Sequence, residues 1–549
     1  MASETTPLLR ETQDPEVRSD DTDTASIDSG SSSSPSIWSV LPVLFIGKSS
    51  VFVSQADTSL VLATYAPIAS EFNDFDKASW LLSSYMLAMC VAQPLYGKLS
   101  DIFGRKTLLQ VSYALFAVGS GLCGIARSMG ELIASRALQG VGGAGMVCLV
   151  SILITDICPM RDVASYRSYI NVVQTVGRSS GGAIGGLLAD TIGWRSTLAG
   201  QAPITLIGMA LVAWKLHLPA GSRPDSPDDS LHNTKGSYTL VSKLRRVDIG
   251  GALLLSTTIL PILFVLDAGG TEFAWLSPTT LVLLLVALLS GLLFSLVETR
   301  YAAEPIFPLS LLSNRAVLVS YLGLALQNAS QTAVMFLTPL YFQVAKGAST
   351  AEAGTYMVPS VLGNTAGGLA TGLLIRRYGR TKSLLSFSAL SSGLCYSLLL
   401  LVWTGRNPGG WQSILVFPGG VATAMAHSAI FVVVAAGVSE TDMAIAGSGL
   451  YLSGSFGGVA GICGVSALFQ ARVYRGLVHR LLRSGIPRGS EIMRRVLGDV
   501  TSIWRQPEEI RNLVIAAYVD GFRASFFLCL AFAGICLVLS VLSPEKRLV

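Results

Sequence analysis

GKLSDIFGRK, residues 97–106, sets Lys98, Asp101, Arg105 and Lys106 on a frame of Gly97 and Gly104, between two apolar runs. About 20 apolar residues cross the hydrocarbon of a bilayer. A charge at the centre of such a run costs about 2.5–3.5 kcal/mol on insertion scales. A tight charged knot between two runs therefore reads as a turn in water joining two membrane-crossing helices. The composition agrees: 51% of the 549 residues are hydrophobic and 13% are charged, against about 25% charged in soluble domains. The chain reads as an all-α polytopic membrane protein. Its net charge of +5 adds little, because basic residues in such proteins mark loops.

Fourteen candidate spans follow, at about 40–64, 79–99, 107–126, 131–156, 166–190, 196–216, 247–267, 277–298, 316–338, 353–375, 383–403, 412–436, 443–470 and 524–543. Basic residues concentrate after the even-numbered spans: GKLSDIFGRK, CPMRDVASYR (158–167), KLRR (243–246), ETRYAAEPIFPLSLLSNR (298–315) and RRYGRTK (376–382). By the positive-inside rule these loops and both termini are cytoplasmic. The Arg-rich stretch 471–523 is the exception, a long loop expected on the far side, with a short surface helix within PEEIRNLVIAAYVDGF (507–522). Residues 1–37 read as a disordered tail and 218–246 as a polar linker. This organises the chain as 38–217, a six-helix bundle; 247–300, two added helices; and 301–549, a second six-helix bundle.

The knot recurs. In GLLIRRYGRT, Gly372, Gly379 and Arg380 match Gly97, Gly104 and Arg105 at one offset of 275 residues, with Arg376 where Asp101 stands. Parallel repeats of this kind are a transporter feature. GKLSDIFGRK between the second and third spans resembles the signature loop of the major facilitator superfamily. LIASRALQGVGGAG, with Arg136, Gln139 and Gly140, resembles its fourth-span motif, and VGRSSGGAIGGLLADTIGWR its fifth-span antiporter motif. ADTSLVLATYAPI resembles the first-span motif of the fourteen-spanner drug:proton antiporter branch. Within that branch the phrases are most similar to fungal vacuolar basic amino acid transporters and their multidrug-resistance-like relatives. Two departures stand out: Ala183 replaces the usual fifth-span proline, and STLAGQAP follows GWR where relatives keep aromatics.

The resemblance implies that Asp101 and Arg105, with Gly97 and Gly104, form a cytoplasmic gate locking the two halves, with Asp156 as a partner; the alternative is a solvated loop. Asp57, midway through the first span, is placed to handle a proton or a cationic substrate; the alternative is a structural ion pair with Lys48 or Arg136. Arg136 is implied in proton transfer; the alternative is a span-end arginine reaching the interface. Gly177, Arg178, Gly181, Gly182, Gly185 and Gly186 read as a close-packing hinge where the halves meet. Candidate cavity-lining residues are Asn171, Gln174, Gln327, Asn328, Gln331 and Asn364, with Tyr341 and Gln343. His427 is a proton relay or a packed histidine.

ETTPLL, with Glu4, Leu8 and Leu9, resembles an acidic dileucine signal read by cytoplasmic adaptor proteins, which favours a vacuolar over a plasma membrane. The eight cysteines lie in or at the ends of apolar runs, without metal or disulfide spacing. The sequence holds no GxxxxGK[ST] loop, catalytic triad or metal cluster, which argues against ATP drive, enzymatic activity, a cofactor or nucleic-acid binding. The expected partners are protons, a cationic or amphipathic small molecule and lipid. The reading is a proton-coupled antiporter moving lysine, arginine and histidine from cytosol to vacuole. A plasma-membrane exporter of drugs or metabolites is the alternative. A non-transporting sensor on the same fold fits less well, since Asp57 and Arg136 are kept.

Overall fold

The computed structural model describes residues 49–61, 64, 68, 71–72, 80–157, 160–216, 248–269, 273–301, 305–405, 408–439, 442–482, 486, 488–498 and 500–543. The tail with Glu4, Leu8 and Leu9, Lys48, Cys158 and the linker 218–246 lie outside them. The described residues are helical: α1 (49–61), α2 (Trp80–Phe103), α3 (Arg105–Ile125), α4 (Met129–Ile157), α5 (Met160–Ile192), α6 (Trp194–Ala199), α7 (Gln201–Lys215), α8 (Ile249–Ala268) and α9 (Pro278–Arg300). After these come α10 (Arg315–Lys346), α11 (Val358–Tyr378), α12 (Lys382–Val402), α13 (Phe417–Gly437), α14 (Met443–Leu477), α15 (Gly489–Gly498) and α16 (Glu508–Leu542).

Among the described residues, ten helical segments are long and apolar enough to cross a membrane. Helices α2, α5 and α10, of 24, 33 and 32 residues, are long enough but carry more polar residues. Several of those polar residues, Gln93, Asn171 and Gln327 among them, are buried. Helix α9 is the opposite case. Leu281, Val282, Leu285, Leu288, Leu289 and Leu292 leave it apolar nearly all round and exposed, the signature of a helix bathed in lipid.

Helices α1–α7 pack on one another, α10–α16 form a second group, and the α8–α9 pair lies against α2 and α14. Gly104 (φ +91°) and Gly379 (φ +62°) end α2 and α11 in backbone conformations that a side chain would strain. The repeat seen in sequence thus places a positive-φ glycine at both helix ends, with ψ +145° at Gly104 and +14° at Gly379.

Two expectations change at the end remote from this turn. The segment 507–522 is helical, but it is the first half of α16 rather than a separate surface helix. Helix α14 likewise continues through a π turn at Val478–Leu482. The loop expected over 471–523 is therefore mostly helix. Its apolar residues Val473, Leu477, Val514, Tyr518 and Phe522 join one buried core, which the polar loop reading missed. Cys90, Cys123, Cys148, Cys395, Cys463, Cys529 and Cys536 are free thiols.

Candidate functional site

Asp57 sits on α1 and is fully enclosed. Arg136 of α4 donates from Nη1 to Asp57 Oδ2 at 2.7 Å, with side-chain exposures of 1% and 0%. Gln139, one turn further along α4, donates to Asp57 Oδ1 at 3.1 Å, and Gln201 donates to the same oxygen at 2.9 Å. Arg136 also donates from Nε to the Leu81 carbonyl at 3.1 Å and lies 4.6 Å from the Tyr85 ring centroid. Among the described residues its Nη2 and the Gln201 Oε1 have no hydrogen-bond partner. Helices α1, α4 and α7 therefore meet on one carboxylate, and α2 closes around its arginine partner. Gly140 and Gly143 make this possible. A Cβ at Gly140 would lie 2.3 Å from the Tyr85 carbonyl oxygen, and one at Gly143 would lie 2.3 Å from its hydroxyl.

The ion-pair alternative for Asp57 is thus realised with Arg136. Arg136 does not reach the interface; it is among the largest fully buried side chains. Sequence reasoning did not nominate Gln201, although STLAGQAP had been marked as a departure. It missed Tyr85 and Ser54 too, whose hydroxyls meet at 2.9 Å beside the pair.

At the end bearing the GKLSDIFGRK turn, Arg105 donates from Nε to Asp156 at 3.0 Å and from Nη1 to Ser100 Oγ at 2.9 Å, and it is ion-paired with Asp101. The Asp101 pair forms across the helix break, one turn apart. A Cβ at Gly97 would collide with the Ser448 hydroxyl and lie 2.9 Å from the Ala444 carbonyl oxygen of α14, so only a glycine lets α2 approach the second group this closely. Gly372 repeats the contact from the other side: a Cβ there would lie 2.9 Å from Ser165 Cα of α5.

The hinge glycines behave differently from expectation. Gly177, Gly181 and Gly185 face α1: a Cβ on Gly181 would lie 2.2 Å from the Ala56 carbonyl oxygen, and one on Gly185 would lie 2.6 Å from Leu60 Cγ. They bind α5 to its own group, not to the other. Gly186 faces open space, and Gly182 meets only the Ser59 carbonyl at 3.6 Å. The groups meet along the first half of α5 instead. Ser168 pairs with Ser428 at 3.2 Å, Asn171 donates to Asn364 at 3.2 Å and Thr175 donates to Asn364 at 2.8 Å. Arg167, which sequence reasoning passed over, stacks 3.7 Å from the Phe431 ring centroid and donates to the Tyr451 hydroxyl at 2.6 Å; Ser151 also bonds that hydroxyl. The hydrogen bonds that α5 makes to α11, α13 and α14 stop at Thr175.

Arg178, three residues on from Thr175, is solvent-accessible. It is not a packing residue. Its guanidinium donates to Gln55 Oε1 of α1 at 2.7 and 3.3 Å. In the second group, His427 Nε2 and Asn328 Oδ1 are 2.7 Å apart. Asn328, Gln174 and His427 are half-buried. Gln327 and Gln331 do not line this space: they are buried inside the second group on Ser392, Thr423 and Ser360. Tyr341 is likewise stacked on Trp403 at 4.2 Å. The Gln343 carbonyl accepts from the Trp504 indole at 3.2 Å.

Residues 49–462 match the Major Facilitator Superfamily. The chain belongs to that family. It is a multi-pass membrane transporter of small molecules, not an enzyme. It is 31% identical to the fission yeast (Schizosaccharomyces pombe) Multidrug resistance protein fnx1, over 90% of this chain and 91% of that one. It is equally 31% identical to the fission yeast Vacuolar membrane amino acid uptake transporter fnx2, over 90% and 82%. It is 26% identical to Vacuolar basic amino acid transporter 2 of Saccharomyces cerevisiae, over 85% and 98%. Among solved structures it resembles the human organic anion transporter MFSD10 in fold, with TM-score 0.58 at 14% identity, covering 92% of this chain and 99% of that one. The proton:xylose symporter XylE gives 0.56 at 15%, covering 93% and 97%.

Proposed function

We propose that this facilitator is a fourteen-span, proton-coupled antiporter that carries basic amino acids from the cytosol into the vacuole. The observation carrying the proposal is the enclosed Asp57–Arg136 pair. Gln139 and Gln201 hold the carboxylate, and Nη2 of Arg136 is left over. Breaking a buried pair by removing one charge costs about 3–5 kcal/mol. A proton delivered to Asp57 would leave Arg136 unbalanced and drive the helices around it to rearrange. That converts proton binding into motion, which is what coupling requires.

The turn with Asp101, Arg105 and Asp156 is proposed as the cytoplasmic gate, and the basic loops put it on the cytoplasmic side. With that end closed, the space beside Arg178 faces the lumen. The names of two relatives, fnx2 and Vacuolar basic amino acid transporter 2, support the vacuolar amino acid reading. Glu4, Leu8 and Leu9 would sort the protein there through adaptors. The name of fnx1 supports the second reading, drug efflux.

The test is lysine uptake into proteoliposomes acidified inside. Uptake driven by the gradient is expected, and Asp57→Asn is expected to abolish the drive. Normal gradient-driven uptake by Asp57→Asn would sink the coupling model. Localisation of a tagged chain at the plasma membrane would sink the vacuolar one.

A further inference from the structure

The described side chains of α5 include two charges, Arg167 and Arg178, and both are cationic. Arg178 is exposed, and Gln55 of α1 holds it at both Nε and Nη2. Arg167 packs against Phe431 and Tyr451 where the two groups meet. His427 pairs with Asn328 within the second group. Gln55, Asn328, Thr175 and Asn364 add neutral polar groups. Among the described residues no ion pair joins Arg178 or Arg167 to a carboxylate, and Asp57 is turned away, at 0% exposure, onto Arg136. A guanidinium in mid-membrane is retained only where water or a counter-charge meets it. Its planar fork is shaped for a carboxylate, and Gln55 occupies only its Nε and Nη2 edge.

We infer that Arg178, oriented by Gln55, is the receptor for a carboxylate of the transported substrate, so that the cargo is an amino acid or another carboxylate-bearing molecule rather than a lipophilic cation. The inference rests on the reading of the space beside Arg178 as the transport cavity. It specifies which end of a lysine-like substrate is held here: the α-carboxylate, about three helical turns along α5 from Arg167. The side-chain amine then extends toward the open end, away from Arg167.

The test uses counterflow in proteoliposomes of the full chain with no pH gradient, so a failure of proton coupling strikes the function proposed above and leaves this inference standing. Radiolabelled lysine, glutamate and leucine are the probes; lysinamide, which lacks the carboxylate, and tetraphenylphosphonium are the competitors. At least one amino acid is expected to exchange, with both competitors about tenfold or more weaker than the free amino acid, a difference of about 1.4 kcal/mol. Arg178→Gln is expected to lower the amino acid to the level of its amide. Arg178→Lys, which keeps the charge and loses the fork, is expected to fall between. The inference is overturned if lysinamide competes as well as lysine in the unaltered protein, or if monodisperse Arg178→Gln keeps the discrimination. It is overturned too if none of the three amino acids exchanges.

Discussion

The two helix groups share a plan and differ in chemistry. Each has a glycine-broken turn, at Gly104 and Gly379, and a glycine that presses on the other group, Gly97 and Gly372. Each also seats a glycine stripe on a neighbouring helix. Gly177, Gly181 and Gly185 lie on α1, and Gly457 and Gly461 lie on α10, where their Cβ positions fall 2.1 Å from the Ala325 carbonyl oxygen and 2.3 Å from Ala329 Cα. Inside, the first group encloses an ion pair, while the second encloses an amide network, Gln327 with Ser392 and Thr423 at 3.0 and 3.3 Å. At the turn, Arg105 is buried on two carboxylates, while its counterpart Arg380 is exposed. The repeated part is geometry, which sterics demand of any rocking pair of bundles. The part that differs is charge. The first group buries an ion pair at its centre; the second buries neutral amides and hydroxyls in the corresponding network.

That contrast can be broken in order of size. Asp57→Ala or Arg136→Ala is expected to lower stability by about 3–5 kcal/mol, because each strands a buried charge. Gln327→Leu in the second group is expected to cost about 1 kcal/mol and to keep transport. Thermal unfolding in detergent, with uptake measured alongside, checks both; equal costs would erase the distinction. The shared geometry predicts matched effects. Gly181→Leu and Gly457→Leu are each expected to cost about 1–3 kcal/mol through overpacking, whereas Gly186→Leu, facing open space, is expected to be neutral. At the turns, Arg105→Ala is expected to cost about 1–2 kcal/mol and to expose the closed end to a thiol reagent through a cysteine placed at Ser448. Arg380→Ala should do neither.

The smallest effect lies at the open end. Trp194 donates to Glu71 at 2.6 Å and Arg195 is ion-paired with it; the Arg195 bond foremost, then the indole, holds the Glu71 carboxyl below its ordinary value. A lowered folded value means a contribution present above the unfolded value of about 4.3 and lost as pH falls through the lower folded one. Both side chains are more than a third exposed, so Glu71→Gln should change stability by under about 1 kcal/mol at pH 7. That small difference should vanish when melting is followed down to pH 3.

The sequence by itself determined the class of fold, the turn and its repeat. Apolar runs, glycine spacing and clustered basic residues are local signals that lipid and backbone sterics enforce wherever they occur. It also nominated Asp57, Arg136, Asp101, Arg105 and Asp156, because a charge inside or beside an apolar run is conspicuous. Only the tertiary structure decided which of these meet. Asp57 and Arg136 are 79 residues apart and Asp57 and Gln201 are 144 apart, distances over which no periodicity speaks. It moved the hinge glycines from the boundary between groups onto α1, since about half a turn of rotation about α5 separates the two faces. It withdrew Gln327 and Gln331 from the cavity, and it turned Arg178 from a member of a packing stripe into an accessible charge. A polar residue in an apolar helix announces that it needs a partner; whether that partner is another helix, water or a substrate depends on which way the helix faces once its neighbours have packed.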